Sequence, residues 1–290
     1  MRRLYGSRPS RHRIRTQHDW DPTQPGQAPV TAGGEPAAAA SAPHMITHII
    51  RSHAAPIARA AAGTVRVMTW NIHGGLGTDR RFDLARVVET ILRHHPDVVA
   101  LQEVDSRRTA APASSAFRVL REAVGGHGVE AKSIVAPDGE YGQVVLSRWP
   151  LGAPQIHDIT HAEREPRRAI EVEVAAPAGS FKLIATHFGL SLKERRAQAR
   201  ALVAIARRHP RTTVMLGDFN EWFWPASLRG ALGRELPART QHATFPSWYP
   251  LLRLDRIFCW PPDAMRGSFV DRLARRASDH LPVLADVAIG

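Results

Sequence analysis

The sequence holds a single cysteine, Cys259, so no disulfide can form within the chain and an oxidising compartment is not needed for its stability. No segment approaches the roughly 18 consecutive apolar residues that a membrane-spanning helix needs. The basic start, MRRLYGSRPSRHRIRTQHDWD, is followed by no continuous apolar stretch, so a secretory signal is not expected and the cytoplasm is the expected location. Lysine is nearly missing: of 39 basic residues, only Lys132, Lys182 and Lys193 are lysine. An excess of arginine and alanine resembles the codon habit of a GC-rich genome. It lowers the weight that a formal charge of +12 lends to nucleic acid or an anionic membrane as partner.

The charge is also uneven. Eight arginines against three acidic residues up to Gly63 give that stretch +5 of the +12. Segments such as TQPGQAPVTAGGEPAAAASAP carry too little apolar surface to offset the entropy of ordering them. Residues 1–63 are therefore expected to be a disordered basic tail, with Met45 as an alternative start, and residues 64–290 to be one catalytic domain.

Beyond Gly63 the pattern becomes regular. TVRVMTW alternates as a half-buried strand does, and Phe82, Leu84, Val87, Val88, Ile91 and Leu92 recur at helical spacing ahead of Pro96. DVVALQEV, QVVLS, AIEVEVA, FKLIATHF, TVMLGDF, LDRIFCW and LPVLADVAI read as further strands. A second helix opens at Ser191, where Glu194 has capping-box spacing, and runs towards His209 and Pro210. Many strands with two clear helices predict two sheets packed face to face with helices outside.

Polar residues recur where the apolar runs end. In VMLGDFNEW, alternation along an extended chain sends Asp218 and Asn220 to one side and Phe219 into the protein, although Gly, Asp and Asn equally suit a turn. Asn71, Glu103, His187, Asp255, Asp279 and His280 occupy similar places. Carboxylates, amides and imidazoles with almost no thiol favour a hard cation such as magnesium or manganese over structural zinc.

The order WNI, LQE, TH, GDFN, LDRI, SDHLPV, spread from about Val65 to Val287, resembles that of the endonuclease/exonuclease/phosphatase superfamily, which includes DNase I and exonuclease III. The resemblance implies an α/β fold: a four-layer α-β-β-α sandwich of two largely antiparallel sheets, with the site at the open end of the strands. It also implies a Mg2+-dependent phosphoester hydrolase, with Mn2+ as substitute. Asn71 and Glu103 would face the metal, and Asp279 would be a further metal contact. Asp218 would orient or deprotonate the attacking water, and Asn220 would hold that water or a phosphate oxygen. His280 would act as phosphate donor or general base with Asp255 behind it, and His187 would be a second donor to the phosphate.

Two positions depart from the pattern or carry it weakly. Gln143 in YGQVVLS stands where many relatives have asparagine, and Arg167 precedes a strand where relatives often carry a phosphate-contacting arginine. NEWFWP and LLRLDRIF lack the basic residue and the Trp-Cys pair expected of inositol phosphatases. Trp222, Phe223 and Trp224, and then Phe245, Trp248 and Tyr249, either stack on bases, meet a lipid headgroup or pack under loops. Arg253, Arg256, Arg275 and Arg276 flank the same motifs and are placed to attract an anion. The expected protein is a monomeric phosphodiesterase. Nucleic acid is the first substrate, a phospholipid or other small phosphoester the second, and a non-catalytic binding protein on the same scaffold is the competing class. Peripheral membrane contact is compatible with this reading.

Overall fold

The computed structural model describes residues 63–107, 115–207, 211–222 and 227–290. The expected tail therefore lies outside the described residues, apart from Gly63. Strands β1 (Thr64–Asn71), β2 (Val98–Asp105), β3 (His127–Ala136), β4 (Gly139–Ser147), β11 (Met265–Val270) and β12 (Val283–Ala288) form one sheet in the order β11-β12-β1-β2-β4-β3. The second sheet contains β5 (Gln155–Asp158), β6 (Arg168–Ala176), β7 (Gly179–His187), β8 (Thr213–Asp218), β9 (Ala238–Arg239) and β10 (Asp255–Trp260), in the order β5-β6-β7-β8-β10-β9. Helices α1 (Leu84–His94), α2 (Ala116–Val124), α3 (Leu192–Ala206) and α4 (Ser227–Glu235) complete the described chain together with two short 3-10 turns.

Three apolar clusters define the layers. Val65, Val67, Val98, Leu183, Val214, Leu216, Ile257 and Val283 fill the space between the sheets. Met68, Trp70, Leu101 and Leu146 point the other way and meet Val87, Ile91, Phe117 and Leu120 of α1 and α2. On the far side Ile184, Met215, Phe219 and Phe258 meet Leu202 and Ile205 of α3 and Leu232 of α4. The result is the four-layer sandwich implied by the motif order. Strand β1 differs from the half-buried strand expected of its alternation, because both its faces are covered. Its arginine, Arg66, is buried by pairing with Asp286, its guanidinium nitrogens lying 2.8 and 2.9 Å from the carboxylate oxygens.

Local chemistry explains the helix limits. Phe82 fits the helical spacing, but the Asp83 side chain accepts the Ala85 N–H at 2.9 Å and starts α1 one residue later. Phe82 instead bridges to Leu76. Ser191 and Glu194 form the expected capping box at the start of α3. The end expected near His209 and Pro210 lies outside the described residues.

All pairings are antiparallel except β1 with β2 and β7 with β8. Each parallel pair is joined through a helix, α1 in one case and α3 in the other, so the paired strands end at the same edge of the sandwich. This places Asn71 beside the Gln102–Glu103 end of β2, and His187 directly beside Asp218. Antiparallel β10 begins where β8 ends, with Asp255 opposite Asp218.

Candidate active site

At this shared edge two backbone departures aim the polar groups. The register of β2 against β4 shifts between Leu101 and Val104, and Glu103 adopts a φ of 55°. A bulge of this kind re-aims one side chain out of the pleat, and a non-glycine residue at positive φ is a local cost kept where the surroundings enforce it. In β8, Gly217 has a φ of 153°, and a Cβ there would lie 1.9 Å from the Thr186 carbonyl oxygen. Only glycine lets β7 and β8 approach this closely just before Asp218.

The VMLGDFNEW segment proves to be both turn and polar cluster. Strand β8 stops at Asp218, so alternation does not extend to Asn220, which sits at a φ of 50°. The Asp218 Oδ1 accepts the Asn220 backbone N–H at 2.8 Å, and the Asn220 Nδ2 donates to the Phe188 carbonyl at 2.9 Å. Phe219 does point inward, edge-on to Phe188 and Phe258.

Asp218 Oδ2 faces the other polar groups. Asn71 Nδ2 donates to it at 3.1 Å and to Glu103 Oε1 at 2.8 Å, joining the two sheets across the sandwich. His187 Nε2 lies 3.7 Å from Asp218 Oδ2 and 3.9 Å from Glu103 Oε1. His280 Nε2 lies 3.9 Å from Asp218 Oδ2, while its Nδ1 is 2.8 Å from Asp255 Oδ2. The Thr244 hydroxyl donates to the same Asp255 oxygen at 2.6 Å. Ser278 positions this group from below, its hydroxyl donating to the Asn71 carbonyl at 2.8 Å and accepting the His280 N–H at 3.1 Å. The Trp70 indole N–H holds the His280 carbonyl at 2.9 Å.

Burial and charge set the protonation states. Burial first, and the Asp255 carboxylate second, raise Asp218 to about 7 against the opposing pull of His280, Asn71 and the Asn220 N–H. For His280 burial disfavours the imidazolium, but Asp255 and Asp218 outweigh it and push the group up to about 10. Burial, then Arg167 and His280, hold His187 well below the usual histidine range. Near neutral pH the site thus holds one imidazolium, one neutral imidazole and a carboxyl poised to exchange a proton.

The remaining residues fall at graded distances from this cluster. Arg167 is buried and forks onto Glu165 at 2.7 and 3.1 Å. Its charge reaches Glu103 and Tyr141, and this proximity, against the opposing effect of burial, raises its pKa further. Gln143 donates to the Arg168 carbonyl at 2.6 Å, leaving its buried Oε1 without a hydrogen-bond partner among the described residues. Asp279 is partly open to solvent, with Oδ1 3.4 Å from His73 Nδ1. His73 also donates its backbone N–H to Asn71 Oδ1 at 3.0 Å, so a histidine that has no evident partner in the sequence borders the site. His94, equally without an evident partner, is buried on Asp271 at 2.9 Å, far along the chain.

Sequence reasoning also missed Tyr141, Thr244 and Ser278. Tyr141 is half-buried, with its hydroxyl enclosed beside Arg167 and Glu103, and desolvation, then Glu103, raises that hydroxyl well above the usual tyrosine range. A lone tyrosine in a strand gives no signal of this placement. Arg256 is buried in β10 and is not a surface cation as expected, because Asp255 and Ile257 on either side are also enclosed. Phe223 and Trp224 lie outside the described residues.

The donor set suits a hard cation best at Glu103. Its side chain remains 19% exposed while that of Asp218 is 1% exposed, and no thiol is nearby. Asn71 presents its amide nitrogen to Glu103, so its oxygen would serve a cation there only with the amide turned. Donor atoms of Asp218, Asp255 and His280 also lie within 4.8 Å of one another. Asp255 and His280 are already bonded to each other there, which makes that trio a proton-holding group.

Two six-stranded sheets lie between helices in a four-layer sandwich, with acids, amides and imidazoles gathered at one strand edge. The sequence model of the Endonuclease/Exonuclease/phosphatase family matches residues 68–280, and the chain belongs to that family. It is 28% identical over 241 residues to the uncharacterized protein YbhP of Escherichia coli K12, spanning 77% of this chain and 95% of that one. Among solved structures, an endonuclease/exonuclease/phosphatase from Beutenbergia cavernae superposes with a TM-score of 0.65 at 24% identity, covering 80% of this chain and 72% of the other. D. rerio TDP2 complexed with a single-strand DNA product superposes with a TM-score of 0.54 at 18% identity, covering 77% and 98%.

Proposed function

We propose that the chain is a magnesium-dependent phosphodiesterase, with manganese able to substitute. The observation that carries this reading is the convergence, across both sheets, of the His280–Asp255 pair, Asp218, His187 and the Asn71–Glu103 pair at one strand edge. Bound at Glu103, with Asn71 and Asp279 as further donors, the cation would neutralise charge on a phosphoryl oxygen.

The protein groups supply the rest. Asp218, raised to about 7, can accept a proton from an attacking water, and the Asn220 N–H on its other oxygen fixes its orientation. His280, held as imidazolium by Asp255, donates a hydrogen bond from Nε2 towards the phosphate. His187 stays neutral and offers one further ring N–H. Asn220, Gln143 and Arg167 support this arrangement, with Arg167 adding positive charge near Glu103. Two imidazole donors and a half-ionised acid suit a diester, whose single negative charge needs less neutralisation than the dianion of a monoester.

Bis-p-nitrophenyl phosphate and p-nitrophenyl phosphate, each with magnesium, manganese or chelator, test the reading. Cation-dependent cleavage of the diester in preference to the monoester supports it; equal turnover with chelator contradicts it. The reacting groups do not distinguish a nucleic-acid diester from a lipid one.

A further inference from the structure

Around the opening of the site, large apolar side chains stand in solvent. Trp248, Tyr249 and Leu251 are 69%, 61% and 65% exposed there, and Leu273, farther out beside Glu89, Thr90 and Arg93 of α1, is 75% exposed. All four lie on segments that hold the reacting groups in place. The Ser247 N–H donates to the Asp279 carbonyl at 2.7 Å, and its hydroxyl lies 2.7 Å from the Ser278 carbonyl and 3.2 Å from that of Arg275. The Phe245 ring packs 4.9 Å from His280, and Leu252 closes the loop by bonding back to Phe245. The loop is therefore a fixed projection beside the reacting groups.

The chemistry of this projection is selective. Arg253, Arg272, Arg275 and Arg276 are exposed, and no acidic residue occurs in 245–253 or 272–278. Among the described residues none of these four guanidiniums forms a salt bridge with a carboxylate. Phe82 and Leu190, in the loops that follow β1 and β7, and Leu192, the first residue of α3, extend the apolar exposure to other sides of the same edge.

We propose that this rim docks on an anionic phospholipid bilayer, and that a lipid headgroup presents the phosphodiester to the site. The second half rests on the phosphodiesterase reading above; the first does not. Charge complementarity selects an anionic partner, and the apolar groups select one with a hydrocarbon phase. Leu251 gains nothing from a nucleic-acid backbone or base edge, whereas it loses contact with water at a bilayer surface. Trp248 and Tyr249 stack on each other, with centroids 6.1 Å apart and planes at 30°, and so do not splay to receive bases between them. Trp and Tyr with an apolar body and polar tip are the side chains that settle at a headgroup boundary.

The test is flotation of the full chain, in chelator, with vesicles of phosphatidylcholine alone or with about one third phosphatidylglycerol. Wild type and a Trp248→Ser/Tyr249→Ser/Leu251→Ser variant are compared, so that the basic residues before Gly63 contribute equally to both. Wild type is expected to float with the anionic vesicles at least tenfold better than with the neutral ones. The variant is expected to lose at least tenfold while keeping its melting temperature and its turnover of bis-p-nitrophenyl phosphate. Equal flotation of the two proteins overturns the docking surface, as does absence of flotation. Loss by the variant of single-stranded oligonucleotide binding, with vesicle binding unchanged, would make the rim a nucleic-acid platform and also overturn it. Phosphate-headgroup release from the same vesicles with magnesium is then measured. Its absence in a protein that floats and cleaves the small diester overturns the headgroup half alone; failure on the small diester with intact flotation locates the fault in the phosphodiesterase reading.

Discussion

His280 and Asp218 are separated by 3.9 Å, and their proton affinities are set by the same few neighbours. Replacing either with alanine is expected to reduce diester turnover by about a hundredfold or more with the fold intact, as measured by initial rates beside a melting curve. The pH dependence follows from the same groups. Turnover should rise through an acid limb at or below about 7, as Asp218 loses its proton and a bound cation assists that loss. It should fall through a basic limb near 10 as His280 loses its own. Asp255→Asn removes the charge that favours the imidazolium, so the basic limb should move to lower pH; an unmoved limb would assign it to another group. In metal-free protein both groups bind protons more tightly folded than unfolded. The His280 contribution to stability is therefore complete below 6.5 and lost as pH rises through about 10, so the melting temperature should fall across that range.

At the scale of elements, two contacts carry most of the positioning. Gly217→Ala would force a Cβ to within 1.9 Å of the Thr186 carbonyl oxygen. Overpacking of this kind costs about 1–3 kcal/mol, or about 2–4 °C in melting temperature for each kcal/mol in a domain of this size. Its effect on turnover should exceed that on stability, because Asp218 is the next residue. Asp271 ties the 3-10 turn to α1 by three contacts: it caps the turn at Leu273, receives His94 at 2.9 Å and pairs with Arg93 at 2.7 Å. Burial opposes its ionisation, but the His94 hydrogen bond, the Leu273 N–H and Arg93 outweigh it and hold the carboxyl below the usual aspartate range. Its contribution to stability is present above pH 3.8 and lost as pH falls through the lowered value. Asp271→Asn should remove that acid sensitivity, which thermal melts from pH 2 to 6 would reveal. These ties are invisible in sequence because their partners are 177 and 178 residues apart.

For the whole molecule, the central strands and the two longer helices were legible because burial on one or two faces imposes periodicity. Helices α2 and α4 and strands β3, β5, β9 and β11 were not. β3, β5, β9 and β11 are edge strands with mostly intermediate or exposed residues and no clean alternation, and α2 and α4 span only Ala116–Val124 and Ser227–Glu235. Of the site, Asn71, Glu103, His187, Asp218, Asp255 and His280 were legible from motif order, and the structure brings all six to one edge. The bulge that turns Glu103, the turn at Asn220, the placement of Tyr141 beside Arg167 and the burial of Thr244 and Ser278 depend on tertiary contacts that no local pattern encodes. The family match begins at residue 68, and all of the proposed reacting groups lie beyond it. Removal of residues 1–44 should therefore leave hydrolysis of a small soluble diester within about twofold of wild type, the scatter expected of a change remote from the chemistry. The most direct test of the central claim is the magnesium-dependent rate on bis-p-nitrophenyl phosphate for wild type beside folded Asp218→Ala and Glu103→Gln proteins. The account predicts cation-dependent turnover in wild type and a loss of about a hundredfold or more in both variants. Wild-type rates from the folded Asp218→Ala protein would contradict it.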